Sequence, residues 1–267
     1  MSNVFGMKEV LDFTVEKYSS TATRGDLLFK ADYATETTLS TKATRLDVRG
    51  GQGNYKLMSF DHSKECTYKA TLPLIDIKAL ATKLGRTITT GASKAPITET
   101  LVASASNTIT LTKAPLASTL KIYLLNGERD FGVEQTVGTP ATEPNTYSIA
   151  ESVVTLNTTT APAGTKFIAS YSYTTGVTSD NIKLTANDFP FYIRITGRGF
   201  GTDKETGLQV PMTFDIKKAK VTCDFDFTMT EDKATELAFE CDCYTVLDDD
   251  GKSQVYAEIN KINDEAV

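Results

Sequence analysis

The residues that most resemble a functional motif lie in Arg49–Lys56. This segment reads RGGQGNYK and is similar to a phosphate-binding loop. Such a loop follows G-x-x-x-x-G-K-[ST], where glycines admit the phosphate and a hydroxyl holds Mg²⁺. Gly50 and Lys56 fit this frame, but Tyr55 replaces the second glycine and Leu57 replaces the hydroxyl. No helix pattern follows closely enough to place a helix N-terminus at an anion. We therefore expect a glycine turn between two strands, with positive φ angles, and no nucleotide site.

Two other groups of polar residues resemble catalytic or metal-binding sets. The run Asp61–Ser63 reads Asp-His-Ser, but neighbouring side chains of a strand point to opposite faces and cannot form a triad. Cys223, Cys241 and Cys243 lack the usual spacing of zinc ligands and alternate with polar residues, on the apolar side of two predicted strands. We expect small buried thiols, no catalytic residue, no metal and no cofactor.

An acidic run near the C-terminal end, Asp248–Gly251, resembles a calcium loop. With Gly251 at the sixth position of an EF-hand loop, the first and twelfth positions hold Val246 and Ala257. Neither side chain can ligate calcium, so the sequence predicts a turn here instead.

A glycine-rich run, Gly197–Gly201, follows the apolar segment Phe189–Ile195. The run lacks the dinucleotide-binding pattern G-x-G-x-x-G, and no helix pattern follows it. We expect a flexible loop, in which Arg198, Lys204 and Glu205 are candidates for contacts between subunits.

Composition narrows the class of function. The chain has 267 residues and a net charge of −6, without the basic surplus of a sequence-specific nucleic-acid binder. Four cysteines are too few for a disulfide scaffold, which favours reduced thiols in an intracellular protein. No run of apolar residues is long enough for a signal peptide or a membrane-spanning helix, so we expect no membrane partner.

Most of the sequence predicts strands, and one segment predicts a helix. Pro73–Leu84 has apolar residues at helical spacing, with Pro73 suited to the first turn and Gly85 to the C-terminal cap. A hairpin is predicted near the end of the chain, where Cys223–Met229 and Leu237–Cys243 both alternate apolar with mainly acidic or polar residues.

The middle of the chain has a different composition. Residues 96–177 are rich in Thr, Ala and Ser, poor in charge, and divided into short strand patterns by Gly and Pro. This composition and this spacing of short strands are typical of a small β-sandwich. We therefore predict a discontinuous β-domain from residues 1–95 and 178–267, with an Ig-like sandwich, residues 96–177, inserted in one of its loops.

The sequence contains no recognisable set of catalytic residues. The order of its elements resembles that of phage tail tube proteins, the major tail proteins of long-tailed phages. The resemblance rests on Glu65–Leu74 followed by the helix, on Phe189–Gly197, and on Phe225–Glu240 followed by Asp248–Lys252. It implies a mainly β fold, a tail-tube-type β-barrel or sandwich with one flanking helix, accompanied here by the inserted Ig-like sandwich.

The same resemblance implies a structural protein of the virion tail that is made in the host cytoplasm. Such subunits form rings, typically hexameric, that stack into a hollow tube and contact other tail proteins. DNA passes through the lumen during ejection without specific binding. An inserted module favours a non-contractile tail or a module that packs against the tube.

Two sets of residues follow as candidate sites in such a tube. Acidic side chains of the predicted hairpin are candidates for the lumen, where repeated negative charge would repel phosphate: Asp224, Asp226, Glu240 and Asp242. A solvated outer face is the alternative place for these four residues. The glycine turn is a candidate for contacts between stacked rings, through Gly50, Gly51, Gly53 and Tyr55. The N-terminal segment, residues 1–18, is a further candidate for reaching a neighbour.

Other functions stay open at this point. One alternative is a capsid decoration protein, another virion structural protein or a tube subunit of a related injection machine. Another is a binding module whose sandwich recognises a carbohydrate on the host surface through its aromatic residues. These are Tyr123, Phe131, Tyr147, Tyr171 and Tyr173. An enzyme is the class that the sequence supports least.

Overall fold

The structure is a computed structural model that describes residues 4–7, 10–20, 24–224, 226, 228–231, 234–248 and 250–262. The chain divides into two compact units. Met1–Ile88 and Ile182–Val267 form the first, called here the barrel unit, and Thr89–Asn181 form the second, the insert unit. The predicted insert, residues 96–177, is shorter than this unit at both ends. Its identity as an Ig-like module stays a prediction.

The strands and the helix run in the following order. The barrel unit begins with β1 (Phe5–Met7), β2 (Asp12–Lys17), β3 (Leu27–Ala31), β4 (Glu36–Gly50), β5 (Tyr55–Leu72) and α1 (Ile77–Lys83). The insert unit contains β6 (Thr89–Thr90), β7 (Lys94–Val102), β8 (Thr108–Thr110), β9 (Lys121–Asn126), β10 (Asp130–Val137), β11 (Thr146–Ala150), β12 (Val153–Leu156), β13 (Lys166–Thr174) and β14 (Asp180–Asn181). The barrel unit resumes with β15 (Tyr192–Asp203), β16 (Gln209–Val221), β17 (Leu237–Cys243), β18 (Val246–Leu247), β19 (Gln254–Val255) and β20 (Glu258–Lys261).

The main sheet of the barrel unit curves into a nearly closed, barrel-like sheet, which confirms the predicted mainly β fold. Its strands follow the order β3-β2-β15-β16-β17-β5-β4, with β1 added to β15 and β20 added to β16. The backbone N–H of Leu11 donates to Thr37 Oγ1 at 3.1 Å, which links the segment before β2 to β4. Long-range antiparallel pairing therefore brings both ends of the sequence into one sheet.

Aromatic side chains fill the inside of this sheet. The ring centroid of Phe13 on β2 lies 5.6 Å from that of Tyr68 on β5, and the ring of Phe29 on β3 lies 5.4 Å from that of Phe239 on β17. Both pairs are edge-to-face, a geometry that stabilises by about 0.5–1.5 kcal/mol beyond the burial of area. Strands from opposite ends of the sheet order thus share one core.

The helix is shorter than the sequence predicts. It begins at Ile77 because Asp76, not Pro73, provides the N-terminal cap, with its side chain accepting the backbone N–H of Lys78 at 2.7 Å. The predicted cap at Gly85 is confirmed by a φ of +67°. The backbone N–H of Gly85 donates to Thr82 O at 3.1 Å, and that of Arg86 to Ala81 O at 2.8 Å, a Schellman motif.

The buried side of this helix consists of small side chains and one lysine. Ala79, Ala81, Thr82 and Lys83 are buried, whereas Ile77 is 39 % exposed. Small side chains let the helix approach β3 and β17 closely. The buried ammonium of Lys83 donates to the backbone oxygen of Ala238 on β17, which satisfies a charge that burial would otherwise penalise.

The expectation of a flexible loop at Gly197–Gly201 is wrong, because these residues lie inside β15 and pair with neighbouring strands. The glycines give room to apolar side chains that cross the sheet. A Cβ atom at Gly197 would lie 2.6 Å from the side chain of Leu11, and one at Gly201 would lie 2.9 Å from the ring of Phe5. A strand glycine is typical of such a close approach.

The predicted C-terminal hairpin is only half correct. β17 forms as predicted, and it places Leu237, Phe239, Cys241 and Cys243 in the core. The predicted partner strand is wrong: β16 ends at Val221, and no described residue of 222–230 belongs to a strand. Phe225 and Phe227 lie outside the described residues. β17 pairs along its whole length with the distant strand β5, and with the preceding strand β16 only at the end of β16.

The insert unit consists mainly of seven strands in the order β7-β13-β9-β10-β11-β12-β8. β10 pairs antiparallel with β9 and then, at Thr136–Val137, parallel with β11, so it connects the two halves of this arrangement. Both halves contribute to a separate core, with Ile122, Phe167 and Tyr171 from one and Val154 and Leu156 from the other. Short strands thus form in the region whose sequence shows short strand patterns.

Candidate assembly surface

The hairpin of β4 and β5 continues beyond the core of the barrel unit as a two-stranded ribbon. We call residues 42–64 the distal ribbon. Within it only Asp47, Gly50 and Ser59 are half-buried, and every other residue is exposed. Its two strands pair with each other alone, because β4 is the last strand of the sheet order. An isolated two-stranded hairpin is marginally stable in water, so a ribbon of this length points to a partner.

The tip of the distal ribbon is the glycine turn that the sequence predicts. Gly51 and Gly53 have φ angles of +83° and +101°, and Asn54 has a φ of +49°, which confirms the expected turn. The backbone N–H of Asn54 donates to Gly51 O at 3.0 Å. A Cβ atom on Gly51 would lie 2.7 Å from the ring of Tyr55, so the glycine leaves space for this ring.

One face of the distal ribbon carries charges that pair across the strands. Arg45 Nε donates to Asp61 Oδ1 at 2.7 Å, and Lys56 Nζ lies 2.7 Å from Asp47 Oδ1. Ser59 Oγ also donates to Asp47 at 2.8 Å. Hydrogen bonds from Lys56 and Ser59 lower the pKa of Asp47, and the hydrogen bond from Arg45 lowers that of Asp61. We call this the charged ribbon face.

The opposite face of the same ribbon is apolar. Leu46 lies opposite Phe60 and Val48 lies opposite Met58, while Leu57 occupies a register shift and lies against Gly50. The exposed fractions are 58 % for Leu46, 56 % for Leu57, 52 % for Met58 and 51 % for Phe60. We call Leu46, Val48, Leu57, Met58 and Phe60 the apolar ribbon face. A contiguous exposed apolar surface of this kind marks an interaction site.

The predicted subunit contacts fall in two places. Gly50, Gly51, Gly53 and Tyr55 all lie at the tip of the distal ribbon. Of the other three, Arg198 lies in the middle of β15, and Lys204 and Glu205 lie in the turn that follows this strand. Asp203 orders that turn by accepting the backbone N–H groups of Glu205 and Thr206, and the guanidinium of Arg198 lies 5.5 Å from the ring centre of Phe200.

Part of the N-terminal segment, which is a candidate for reaching a neighbour, lies in β2. β2 lies within the sheet between β3 and β15, and its Phe13 and Val15 are buried in the core. Residues 12–17 are therefore part of the fold of the barrel unit, because their apolar side chains are needed inside it.

The four candidate lumen residues also separate into two groups. Asp224 and Asp226 are exposed and lie outside the strands, in the segment that follows β16. Glu240 and Asp242 lie on the outward face of β17. Lys69 Nζ is 2.6 Å from Glu240 Oε1, and Lys220 lies opposite Asp242 in the sheet. Lysines thus alternate with the acidic residues on this face, and reduce its negative charge.

The cysteines differ in exposure. Cys241 and Cys243 are buried free thiols, as predicted, whereas Cys223 is exposed, which corrects the expectation for that residue. Cys66 is also a buried free thiol. Burial raises the pKa of the Cys66 and Cys241 thiols, so both are protonated and unreactive at neutral pH. Across the described ranges, no group of three or more His, Cys, Asp and Glu side chains is arranged to hold a metal ion.

The aromatic residues of the insert unit mostly serve its core. Tyr147 and Tyr171 are each 3 % exposed, and the Tyr171 hydroxyl donates to Glu99 at 2.8 Å. Phe131 is 65 % exposed, and its ring makes an edge-to-face contact with Tyr123. Sugar-binding sites usually present exposed rings, so this unit offers less aromatic surface for a carbohydrate than its sequence suggests.

The apolar ribbon face is the feature that the sequence analysis missed. Its signal is present as alternation of apolar and charged residues on both sides of the glycine turn. The same alternation is typical of strands whose apolar face is buried in a core, so the pattern alone does not distinguish the two cases. Within the described part of the chain, no helix has the length and apolar character to cross a membrane.

The sequence matches the family model of the YomU/Tube protein family over residues 5–259. Because the match includes nearly all of its length, the chain belongs to the YomU/Tube protein family. This result confirms the resemblance to phage tail tube proteins. No curated protein matches the sequence.

Proposed function

We propose that this member of the YomU/Tube family is a tail tube subunit, whose copies associate into rings that stack into a hollow conduit for the phage genome. The observation that carries the proposal is the apolar ribbon face, where large apolar side chains are about half exposed on an element without a second layer. Burial of such side chains against another copy is favourable by about 25 cal/mol per Å² of apolar area.

The free edge of β4 supports the same proposal. β4 pairs with β5 along one edge, while backbone groups along the distal part of its other edge have no strand beside them. Long unpaired edges invite pairing with another chain, and closed symmetric assemblies remove them. A ring of copies, hexameric as the family resemblance implies, therefore uses an edge that would otherwise be an aggregation site.

Substitution on the apolar ribbon face tests this proposal. Phe60→Asp places a charge on the surface that the contact must bury, whereas Ala43→Asp places the same charge at an exposed position near the base of the ribbon, outside the apolar ribbon face. We expect wild type and Ala43→Asp to form rings or tubes in electron micrographs, and Phe60→Asp to remain a folded monomer with an unchanged thermal transition. Wild-type protein that stays monomeric at high concentration, or Phe60→Asp protein that assembles normally, would overturn the proposal.

We propose further that the acidic candidates Asp224, Asp226, Glu240 and Asp242 face the lumen. Repeated around a ring, these carboxylates keep DNA phosphates from binding the wall, because like charges repel at close range. Replacing all four with Lys is expected to leave tube assembly intact and to slow DNA ejection from assembled particles. A four-residue Asn and Gln variant separates loss of repulsion from new attraction, and ejection at the wild-type rate in the Lys variant would refute this role.

A further inference from the structure

Two of the buried cysteines face each other across neighbouring strands of the barrel unit. Cys66 on β5 lies directly opposite Cys243, the last residue of β17, in the antiparallel register of the two strands. Both thiols are free. They share a hydrogen bond, so the two sulfur atoms are in contact. A single buried thiol is inert, but two thiols in contact have the partner that a disulfide bond needs.

The backbone places this pair within the range of a disulfide bond. Directly opposite residues of antiparallel strands have Cα atoms about 4.5 or 5.5 Å apart, and disulfide-bonded cysteines have Cα atoms about 4.4–6.8 Å apart. The Cβ atoms of opposite residues lie about 4.5–5.5 Å apart, whereas a disulfide prefers about 3.5–4.5 Å. Formation of the bond therefore draws the two strands slightly together. The resulting strain makes the bond easier to reduce than an ordinary structural disulfide.

The other cysteines do not share this geometry. Cys241 lies on the same face of β17 but is opposite Tyr68, two residues from Cys66 along β5. Diagonal positions of this kind are about 7–8 Å apart, beyond the range of a disulfide. Cys223 is exposed and lies two residues beyond the end of β16. The register of β5 and β17 thus selects a single pair.

We propose that Cys66 and Cys243 form a reversible cross-strand disulfide when the protein meets a small disulfide oxidant such as oxidised glutathione. The Cys66 thiolate attacks one sulfur atom of the oxidant, which releases one glutathione thiol and leaves a mixed disulfide on Cys66. The Cys243 thiolate then attacks the Cys66 sulfur and releases the second glutathione thiol. The protein loses two electrons and two protons, and the oxidant is reduced to two thiols.

Burial makes this exchange slow in the closed fold. Burial raises the pKa of both thiols, while the hydrogen bond between them lowers the pKa of Cys66 and raises that of Cys243. Cys66 is therefore the thiol that ionises first. Both residues lie at the edge of the core, because the distal ribbon ends at residue 64 and β17 ends at Cys243. Local opening of this edge exposes the pair to the oxidant without unfolding of the whole barrel unit.

The disulfide ties the root of the distal ribbon to β17 in one redox state only. The cytoplasm keeps thiols reduced, whereas oxidising surroundings let such bonds persist. This use of the bond rests on the proposed function, because a tail subunit is made in a cytoplasm and leaves the cell in the particle. The chemistry of the pair itself does not depend on assembly.

Mass spectrometry of the oxidised protein tests the proposal. In a Cys223→Ser background, Cys66, Cys241 and Cys243 remain, and the folded protein is incubated with oxidised glutathione in buffer and in urea below the unfolding transition. We expect the intact mass to fall by that of two hydrogen atoms. Digestion is expected to give one disulfide-linked pair of peptides, which contain Cys66 and Cys243.

Matched variants identify the pair. Cys241→Ser is expected to keep the disulfide, whereas Cys66→Ser and Cys243→Ser are expected to lose it. A linked peptide that contains Cys241, a stable glutathione adduct, or an unchanged mass even in urea, where the edge opens, would overturn the proposal. Tubes that assemble from Cys66→Ser protein would leave the proposed function standing, and a 66–243 disulfide in protein that never assembles would leave this inference standing without it.

Amide hydrogen exchange gives a second measurement, because the bond restricts opening at the root of the distal ribbon. Oxidation is expected to slow exchange severalfold at residues 64–68 and 241–243, and a reducing agent is expected to restore it. The ribbon tip, residues 51–54, is the internal control and is expected to exchange at the same rate in both states. Equal exchange at the root in the two states would contradict a tie between β5 and β17.

Discussion

The base and the distal part of the β4–β5 hairpin form one continuous pair of strands with the same antiparallel pairing, yet their side chains have opposite surroundings. At the base, Cys66, Tyr68, Ala70 and Leu72 are at most 4 % exposed, and they pack in the core of the barrel unit. Beyond it, the apolar residues of the distal ribbon are about half exposed.

This difference shows that backbone pairing and hydrophobic burial are separate contributions to a β structure. Both parts of the hairpin satisfy the backbone groups between β4 and β5. Only the base is covered by other strands of the barrel unit: β17 pairs with β5 there, and the ring of Phe13 on β2 lies 5.6 Å from that of Tyr68. The distal ribbon thus carries core-like side chains without a core, and their favourable transfer from water is available to another molecule.

The largest expected effect comes from replacing one aromatic residue of the core with Ala. The same replacement in the distal ribbon is the comparison. Phe239→Ala removes a fully buried ring of the core, and we expect it to lower the free energy of unfolding by about 3–5 kcal/mol. Phe60→Ala removes a ring that is 51 % exposed, and we expect a change within about 0.5 kcal/mol for the monomer. Chemical denaturation of both variants measures the difference. A large loss for Phe60→Ala would mean that the ribbon packs within its own chain.

A smaller effect is expected at the turn of the distal ribbon. Gly51→Ala forces a Cβ atom into a left-handed backbone conformation beside the Tyr55 ring, at a cost of about 1–2 kcal/mol. We expect faster amide hydrogen exchange in the ribbon and no change in the core. Gly91→Ala is the matched control, because a Cβ atom there meets nothing within 4 Å and needs no positive φ. Equal exchange in both variants would show that the ribbon does not depend on its turn.

The smallest expected effect concerns the charged ribbon face. The folded-state pKa of Asp61 is lowered by Arg45, so this pair stabilises above the unfolded pKa of about 3.9 and weakens as pH falls through the folded value. Both side chains are more than half exposed, so salt screens their attraction. We expect Arg45→Ala to leave the thermal midpoint at pH 7 unchanged.

Substitution and added salt distinguish the Arg45–Asp61 ion pair from a less exposed ion pair in the barrel unit. Arg194 and Asp215 lie 2.6 Å apart, and their side chains are 21 % and 20 % exposed. We therefore expect Arg194→Ala to lower the thermal midpoint, and added salt to affect it less than it affects the ribbon pair. A larger shift of the thermal midpoint for Arg45→Ala than for Arg194→Ala would contradict the expectation that the less exposed ion pair contributes more to stability.

Several elements were predictable from the sequence because their determinants are local. The glycine turn at the ribbon tip needs positive φ angles, and glycine supplies them wherever the rest of the chain lies. Gly85 ends the helix for the same reason, and β17 alternates clearly enough to define its buried face. The helix start was misplaced because the carboxylate of Asp76 competes with Pro73 for the first turn.

The other errors concern contacts between residues distant in sequence. Gly197–Gly201 has the composition of a loop, but Leu11 and Phe5 need the space that a glycine strand leaves. Cys223 shares the alternating pattern of a strand, but β16 ends at Val221 and pairs with β17 only at Cys241–Cys243, while β5 pairs with the whole of β17. Neither fact can be derived from the neighbouring residues alone.

The sequence by itself determined the mainly β class, the turns, the buried face of β17 and the resemblance to tail tube proteins, because periodicity and backbone conformation are properties of short segments. The tertiary structure decided which apolar faces find a partner within the chain. Leu46, Met58 and Phe60 alternate as core residues do, but the sheet ends at β4 and provides no layer above the distal ribbon. The end of the sheet at β4 thus leaves the apolar ribbon face exposed.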